Sequence, residues 1–487
     1  MQIFSRYREK FDFRIRVHYT GNVIQRDCLG KLAKWREKQP VKVISGVRGG
    51  GKTTLLAMYI DWLKRTGVDD GQIVCVSMEE PETEAILNYR GLYGYVQKRL
   101  CNDRVTYVFI DEVQKCPKYE KAIVGLLAKK QIDLYITASS ATAVETAVSS
   151  LTPHIEVQVL PLSFAEYIVF SKAKIINTQS QDDTDEPKAF SDTVGNARLL
   201  QKAFPTRTNR RLPRQKEQVE KYLQQEAFNN YLSFGGFPFA ATLDGDVSLI
   251  RYFVDGIYNT VLLKDVAGQA GISDIPLLED IAKLMSKSTG RSLSSTKISA
   301  AISAKGRKIS ANTVETYMKA LCSAFVFLHA GRFDIKTRKH LKTLGKYYIA
   351  DTGIRNLLLE SSAPNLDGQL ENIVYLELLR RGFQVCIGKH GSDEISFVVF
   401  WFSAPKGGEA KNDAGENGGQ AYFQVAASVR DNAALARTLS PLMRIQDNHP
   451  KFILSLDETP YRAPRLGVNH NGVIQRNLID WLLESKR

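Results

Sequence analysis

The chain has 487 residues, 44% of them hydrophobic, and a formal net charge of +14. That length supports several buried cores, and the basic excess raises the prior for polyanionic partners. Scattered cysteines with no Cys-x-x-Cys pair exclude a disulfide framework and a zinc knuckle, and the lack of any run of about 18 apolar residues excludes a spanning helix.

Residues 1–20 are basic and aromatic, with charges throughout and no apolar stretch of signal-peptide length. They read as an extension of an intracellular, cytoplasmic chain without a membrane partner. From 21 to 170, short β-branched runs such as VKVIS, IVCVSM, YVFIDE and LYITAS alternate with segments of helical spacing. Apolar runs without alternation fit parallel strands covered on both faces, so the fold class is α/β. Residues 171–216 break the pattern. They are polar, carry DDTDE and then turn basic, which reads as an insertion.

Between the first strand and its helix lies Gly46-Val47-Arg48-Gly49-Gly50-Gly51-Lys52-Thr53, a full match to the phosphate-loop pattern. Glycines allow successive N–H groups to point inward at phosphate oxygens. Lys52 is positioned to reach the outer phosphates of ATP, and Thr53 to offer a hydroxyl to Mg²⁺. Thr54 follows on a helix whose positive end faces the same anion. The strand VFIDE ends in two carboxylates, Asp111 and Glu112. Asp111 is the expected second holder of Mg²⁺, and Glu112 the expected acceptor of the attacking water's proton. The next strand ends in Ser139 and Ser140, either of which could sense the terminal phosphate.

Residues 217–350 read as mostly helical. Within 275–345 the spacing predicts three helices, with Ser294 or Ser295 capping the second and Ser310 or Asn312 the third. GRFDIKTRKHLKTLGKYYIA could form a wing. Lys283, Lys287, Arg291, Lys297, Lys305, Arg307 and Lys308 occur without an intervening acid. Such charge gives non-specific affinity for DNA phosphates, or else forms a solvated face. Beyond 351 the pattern becomes α+β, with a strong helix over LENIVYLELLRRG and later strands broken by a Gly-rich loop. The four tryptophans read as core, and the seven histidines show no ligand spacing.

GVRGGGKTTLL, VFIDEVQKCPKYEKAIVGLL, ITASSA, VLPLSFAEY, YLSFGGFP, KYYIADTGIRN and LENIVYLELLRRG together resemble the prokaryotic predicted ATPases. Those proteins join an AAA-type, STAND-like P-loop domain to a C-terminal domain of unknown function. The resemblance implies an ATPase core at 21–170, a helical region with a winged helix-turn-helix at 217–350, and a restriction-endonuclease-like domain at 351–487. It also implies an ATP-dependent switch, with a DNA-binding regulator or an ATP-gated nuclease as alternatives and the protein partner unidentified. Three departures stand out. Ser140 replaces an Asn, and Leu151-Thr152-Pro153 replace Ser-Gly-Arg, so slow hydrolysis is expected. In the C-terminal domain Glu371 remains, but Ser396, Tyr422 and Gln424 stand where a nuclease carries Asp, Glu and Lys. Glu394 could substitute only by slipping the strand. Nuclease activity is therefore not expected.

Overall fold

The computed structural model describes residues 26–38, 40–129, 131–150, 154–171, 212–243, 245–360, 365–402, 418–458 and 467–484. The N-terminal extension, most of the polar insertion, Leu151-Thr152-Pro153 and most of the Gly-rich loop lie outside them.

The first layer is a five-stranded parallel sheet built from β1 (Val41–Ser45), β2 (Ile73–Ser77), β3 (Thr106–Asp111), β4 (Ile132–Ala138) and β5 (His154–Gln158). Its order is β2-β3-β4-β1-β5. Alternation of side chains explains why the inner strands β1, β3 and β4 are mainly apolar on both faces, whereas the edge strand β5 (HIEVQ) is mixed. Val108, Ile110, Leu134 and Ile136 enter one core, whereas Tyr107, Phe109 and Tyr135 enter the other. Helices α1 (Asp27–Lys34) and α2 (Lys52–Arg65) cover the aromatic face. Helices α3 (Tyr89–Gln97) and α4 (Tyr119–Leu127) cover the other, and α5 (Ala141–Ser150) follows β4. Because β4 lies between β1 and β3, the loop after β1 and the carboxyl ends of β3 and β4 meet at one edge.

The helical region opens with the long helix Leu212–Phe234. Helix Val247–Thr260 then runs into a π-helical stretch, Val261–Ala267. Helices Ile275–Lys287, Ser295–Ser303 and Ala311–Ser323 come next. The expected caps form: Ser294 accepts the N–H of Lys297 and Ser310 that of Thr313. Strands β6 (Phe327–Asp334) and β7 (Lys339–Ile349) make a hairpin.

That hairpin does not stand apart. β6 pairs in parallel with β8 (Gln384–His390). The result is an eight-stranded sheet, β12-β13-β11-β10-β9-β8-β6-β7. It is completed by β9 (Asp393–Phe402), β10 (Gly418–Val425), β11 (Lys451–Ser455), β12 (Val468–His470) and β13 (Val473–Asn477). One sheet thus crosses position 350. Helix Leu366–Arg380 packs on it, burying Leu370, Ile373, Val374 and Leu378. Trp481 is buried as expected, but Trp35 is 37% exposed, with the Lys38 ammonium over its ring.

Candidate functional site

Three glycines of the phosphate loop adopt conformations that other residues rarely take: φ is 144° at Gly46, 78° at Gly49 and 97° at Gly51. Space is as restrictive as angle. A Cβ on Gly46 would lie 2.1 Å from the Val159 carbonyl oxygen, and one on Gly49 2.5 Å from Ile257 Cδ1. Arg26 braces the loop from behind, donating to the carbonyls of Gly50 at 3.2 Å and Leu160 at 2.8 Å and pairing with Glu166 at 3.0 Å. Gly51 opens α2 without a side-chain cap, leaving the first-turn N–H groups for an anion.

Lys52 is only 4% exposed. Its ammonium donates to the carbonyls of Gly46 at 3.0 Å and Val47 at 3.3 Å and to Ser139 Oγ at 2.6 Å. It also lies 3.4 Å from Glu112 Oε1. Thr53 donates to Asp111 Oδ2 at 2.9 Å, and Thr137 donates to Oδ1 at 2.5 Å. Glu112 sits in the left-handed region at φ 52°. Its own N–H is anchored on Thr137 Oγ1 at 2.8 Å. Ser139 donates to its Oε1 at 2.7 Å, and the Gln114 amide donates to Oε2.

The two carboxyls are driven apart. Burial pushes Asp111 up, and neighbouring Glu112 adds to this against the hydroxyls of Thr137 and Thr53. Burial also opposes charge on Glu112, but Lys52, Ser139, Arg48 and Gln114 outweigh it and hold that carboxyl below its ordinary value.

Sequence reading offered Ser139 or Ser140, with Ser140 at the position where the resembled family carries Asn. The structure brings Ser139 to Lys52 and Glu112, while Ser140 lies at the start of α5, accepting the Ala143 N–H at 3.4 Å. Val47 is buried beside the site, and Thr54 lies in the first turn of α2. Thr137 and Gln114 were not anticipated. Alternation along β4 carried the signal for Thr137, which shares a face with Ser139. Gln114 had no such signal.

Nor did the sequence point to the partners of Arg48. Its guanidinium pairs with Asp265 through Nε at 2.8 Å and Nη2 at 3.1 Å, and with Glu79 through Nη2 at 2.9 Å and Nη1 at 3.2 Å. Asp265 belongs to the π-helical stretch of the helical region. It lines a cavity of about 510 Å³ together with Gln114, Ser140, Thr316 and Lys319.

In the C-terminal part, Glu371 and Ser396 meet: Ser396 Oγ donates to Glu371 Oε2 at 3.2 Å, and the Ser396 N–H donates to Gln424 Oε1 at 2.9 Å. Tyr422 turns elsewhere, donating to Asp447. Buried Lys346 bridges Glu371 at 2.9 Å and Glu394 at 2.7 Å. Burial alone would lower its pKa, but the two carboxylates raise it. Among the described residues no cluster of three or more His, Cys, Asp or Glu could hold a metal ion, and no helix is long and apolar enough to cross a membrane.

A family model described as an AAA domain matches residues 38–168, and one described as a domain of unknown function matches 225–365. An uncharacterised protein of Haemophilus influenzae is 27% identical over 465 residues, covering 95% of this chain and 99% of that relative. One from Methanocaldococcus jannaschii is 26% identical over 394 residues, covering 78% of this chain and 76% of its own length. Among solved structures, the Walker-type ATPase of Pyrococcus abyssi is 14% identical with a TM-score of 0.42, over 69% of this chain and 96% of that one.

Proposed function

We propose, from the premise that residues 38–168 are a prokaryotic AAA-family P-loop ATPase domain, that the chain is a slow, ATP-dependent molecular switch. The observation that carries this reading is the cluster of buried Lys52, Asp111, Glu112 and Ser139 with half-buried Thr53, linked by hydrogen bonds and one ion pair. Backbone N–H groups of the loop and of the first turn of α2 take phosphate oxygens, and Lys52 reaches the outer phosphates. Thr53 and Asp111 are the hard oxygen donors that magnesium accepts, and they lie within 2.9 Å of each other. Bound there, the ion neutralises phosphate charge. Glu112 accepts the proton of the attacking water, and Ser139 rather than Ser140 reads the terminal phosphate. Turnover is slow because Glu112 must first release Gln114, Ser139 and Lys52.

The switch reading is supported by direct contact between the helical region and the loop. A Cβ on Gly49 would lie 2.5 Å from Ile257 Cδ1 and 3.6 Å from Phe237 Cδ1, so the helical region packs directly on the loop that is to bind phosphate. Three helices followed by the β6–β7 hairpin support a winged-helix reading of 275–349. Lys297, Lys305, Arg307 and Lys308 are exposed there, which favours a second reading in which DNA is the regulated partner. The helix Leu366–Arg380 on β8–β10 supports an endonuclease-like fold kept without its metal chemistry. The free cysteines fit a reducing cytoplasm.

The test is calorimetric ATP binding with phosphate release. Glu112→Gln should bind ATP and lose turnover, and Lys52→Ala should lose binding. Undiminished ATP affinity in Lys52→Ala would refute the assignment.

A further inference from the structure

We propose that the Arg48 side chain is a catalytic group of this site, acting in cis on the terminal phosphate, and that Asp265 and Glu79 are positioning residues that hold it in waiting. The proposal rests on the reading of the phosphate loop given above.

Arg48 is the third residue of the loop, next to Val47, whose carbonyl accepts from Lys52 at 3.3 Å. Its partner Asp265 lines the same cavity as Gln114, whose amide donates to the Glu112 carboxylate. The guanidinium therefore lies on the side of the loop where water is to be activated. A loop that binds polyphosphate gains from a cation at that point, yet both of Arg48's partners are carboxylates. Four hydrogen bonds divide between them. Asp265 is the deeper, its side chain 1% exposed, against 38% for Glu79. Arginine suits this double duty. Its planar fork matches a carboxylate or a phosphate equally well, so one anion can replace the other without loss of geometry.

Asp265 meets the loop from a stretch wound as a π-helix, Val261 to Ala267. Such wide turns recur at functional sites. Helix Val247–Thr260 leads directly into that stretch and lays Ile257 on Gly49. The element that packs on the loop and the element that restrains its arginine are thus continuous.

When a triphosphate enters, its terminal oxygens compete with Asp265 for the guanidinium. In the transfer step the water oxygen bonds to the γ-phosphorus while the bond from that phosphorus to the bridging oxygen breaks. ADP leaves with the electron pair, and Glu112 takes the water's proton. Arg48 donates N–H groups to the non-bridging oxygens, where negative charge is concentrated. Loss of the γ-phosphate returns Arg48 to Asp265 and restores the helical region's hold on the loop.

The test measures the affinities of fluorescent ATP and ADP analogues, with magnesium, in an E112Q background that keeps the triphosphate intact. R48A should weaken ATP about tenfold or more, as expected for a lost charge-assisted contact, while changing ADP less than about twofold. D265N should tighten ATP several-fold, and E79Q should do so more weakly from a partly exposed position that the core does not depend on. Both gains should vanish when combined with R48A, since each acts only through that side chain. Retained ADP binding reports an intact fold in every variant. An equal effect of R48A on ATP and ADP would overturn the proposal, as would a D265N gain that survives R48A. If K52A in the same background binds both nucleotides undiminished, the failure lies with the phosphate-loop reading and not with Arg48.

Discussion

Replacing Lys52 by Met should destabilise the nucleotide-free protein in a manner that depends on pH. In the wild type the ammonium lies 3.4 Å from Glu112 Oε1, and both side chains are nearly inaccessible. A unit charge pair at that distance is worth about 5 kcal/mol at an effective dielectric near 20. Desolvation of both ions offsets part of this. Removing one partner nevertheless leaves a buried carboxylate unpaired, which costs about 3 kcal/mol or more. Met preserves the apolar stem, so the loss reports charge rather than volume. The pH dependence follows from Glu112. In the wild type its folded pKa is depressed, so its stabilising contribution is present above the ordinary glutamate value and is lost as pH falls through the folded one. In the variant, burial acts on Glu112 opposed only by Ser139, Arg48 and Gln114, without Lys52, and its folded pKa rises. A raised value confers stability at low pH that is lost as pH increases. The deficit of the variant should therefore be largest near pH 8 and shrink towards pH 5. Urea unfolding followed by tryptophan fluorescence measures it, with Trp62 on α2 stacked on Tyr59. Adding E112Q removes the stranded charge and should restore most of the loss. A deficit independent of pH, and not relieved by E112Q, would refute the argument.

Three further outcomes are expected. Buried Asp351 accepts the N–H groups of Gly236 at 2.7 Å and Gly353 at 2.8 Å, yet burial pushes its carboxyl up to about 6. Its contribution is therefore present below about pH 4 and lost as pH rises through about 6, a fall of about 3 kcal/mol that D351N should flatten in urea titrations across that window. Replacing Lys297, Lys305, Arg307 and Lys308 together should lower the slope of log affinity for duplex DNA against log salt by about 3, because Arg307 is already paired with Asp274. An unchanged slope in a filter-binding assay would exclude that face. Plasmid incubated with the protein, ATP and Mg²⁺ or Mn²⁺ should stay uncut, since the Lys346 ammonium already bridges Glu371 and Glu394. Cleavage abolished by E371A would overturn this expectation.

Much of the architecture is legible in local chemistry. Unalternated β-branched runs demand a sheet covered on both faces, and side chains of β3 and β4 do divide between two cores. Gly46, Gly49 and Gly51 occupy angles that favour glycine, so their spacing announces the loop before any fold is known. The two carboxylates after VFI and the caps at Ser294 and Ser310 are signals of the same local kind. Other features depend on which distant segments approach. Whether Ser139 or Ser140 meets Lys52 is set by the register of β4 against β1. The pairing of β6 with β8 joins strands about fifty residues apart in sequence, and no turn chemistry specifies it. The partners of Arg48 come from the end of β2 and from a π-turn more than two hundred residues away. Charge matching at that range leaves no periodicity in the chain. Hydrophobic pattern and glycine geometry are properties of a segment, whereas the pairing of buried ions is a property of the packed whole, and only tertiary structure could decide it.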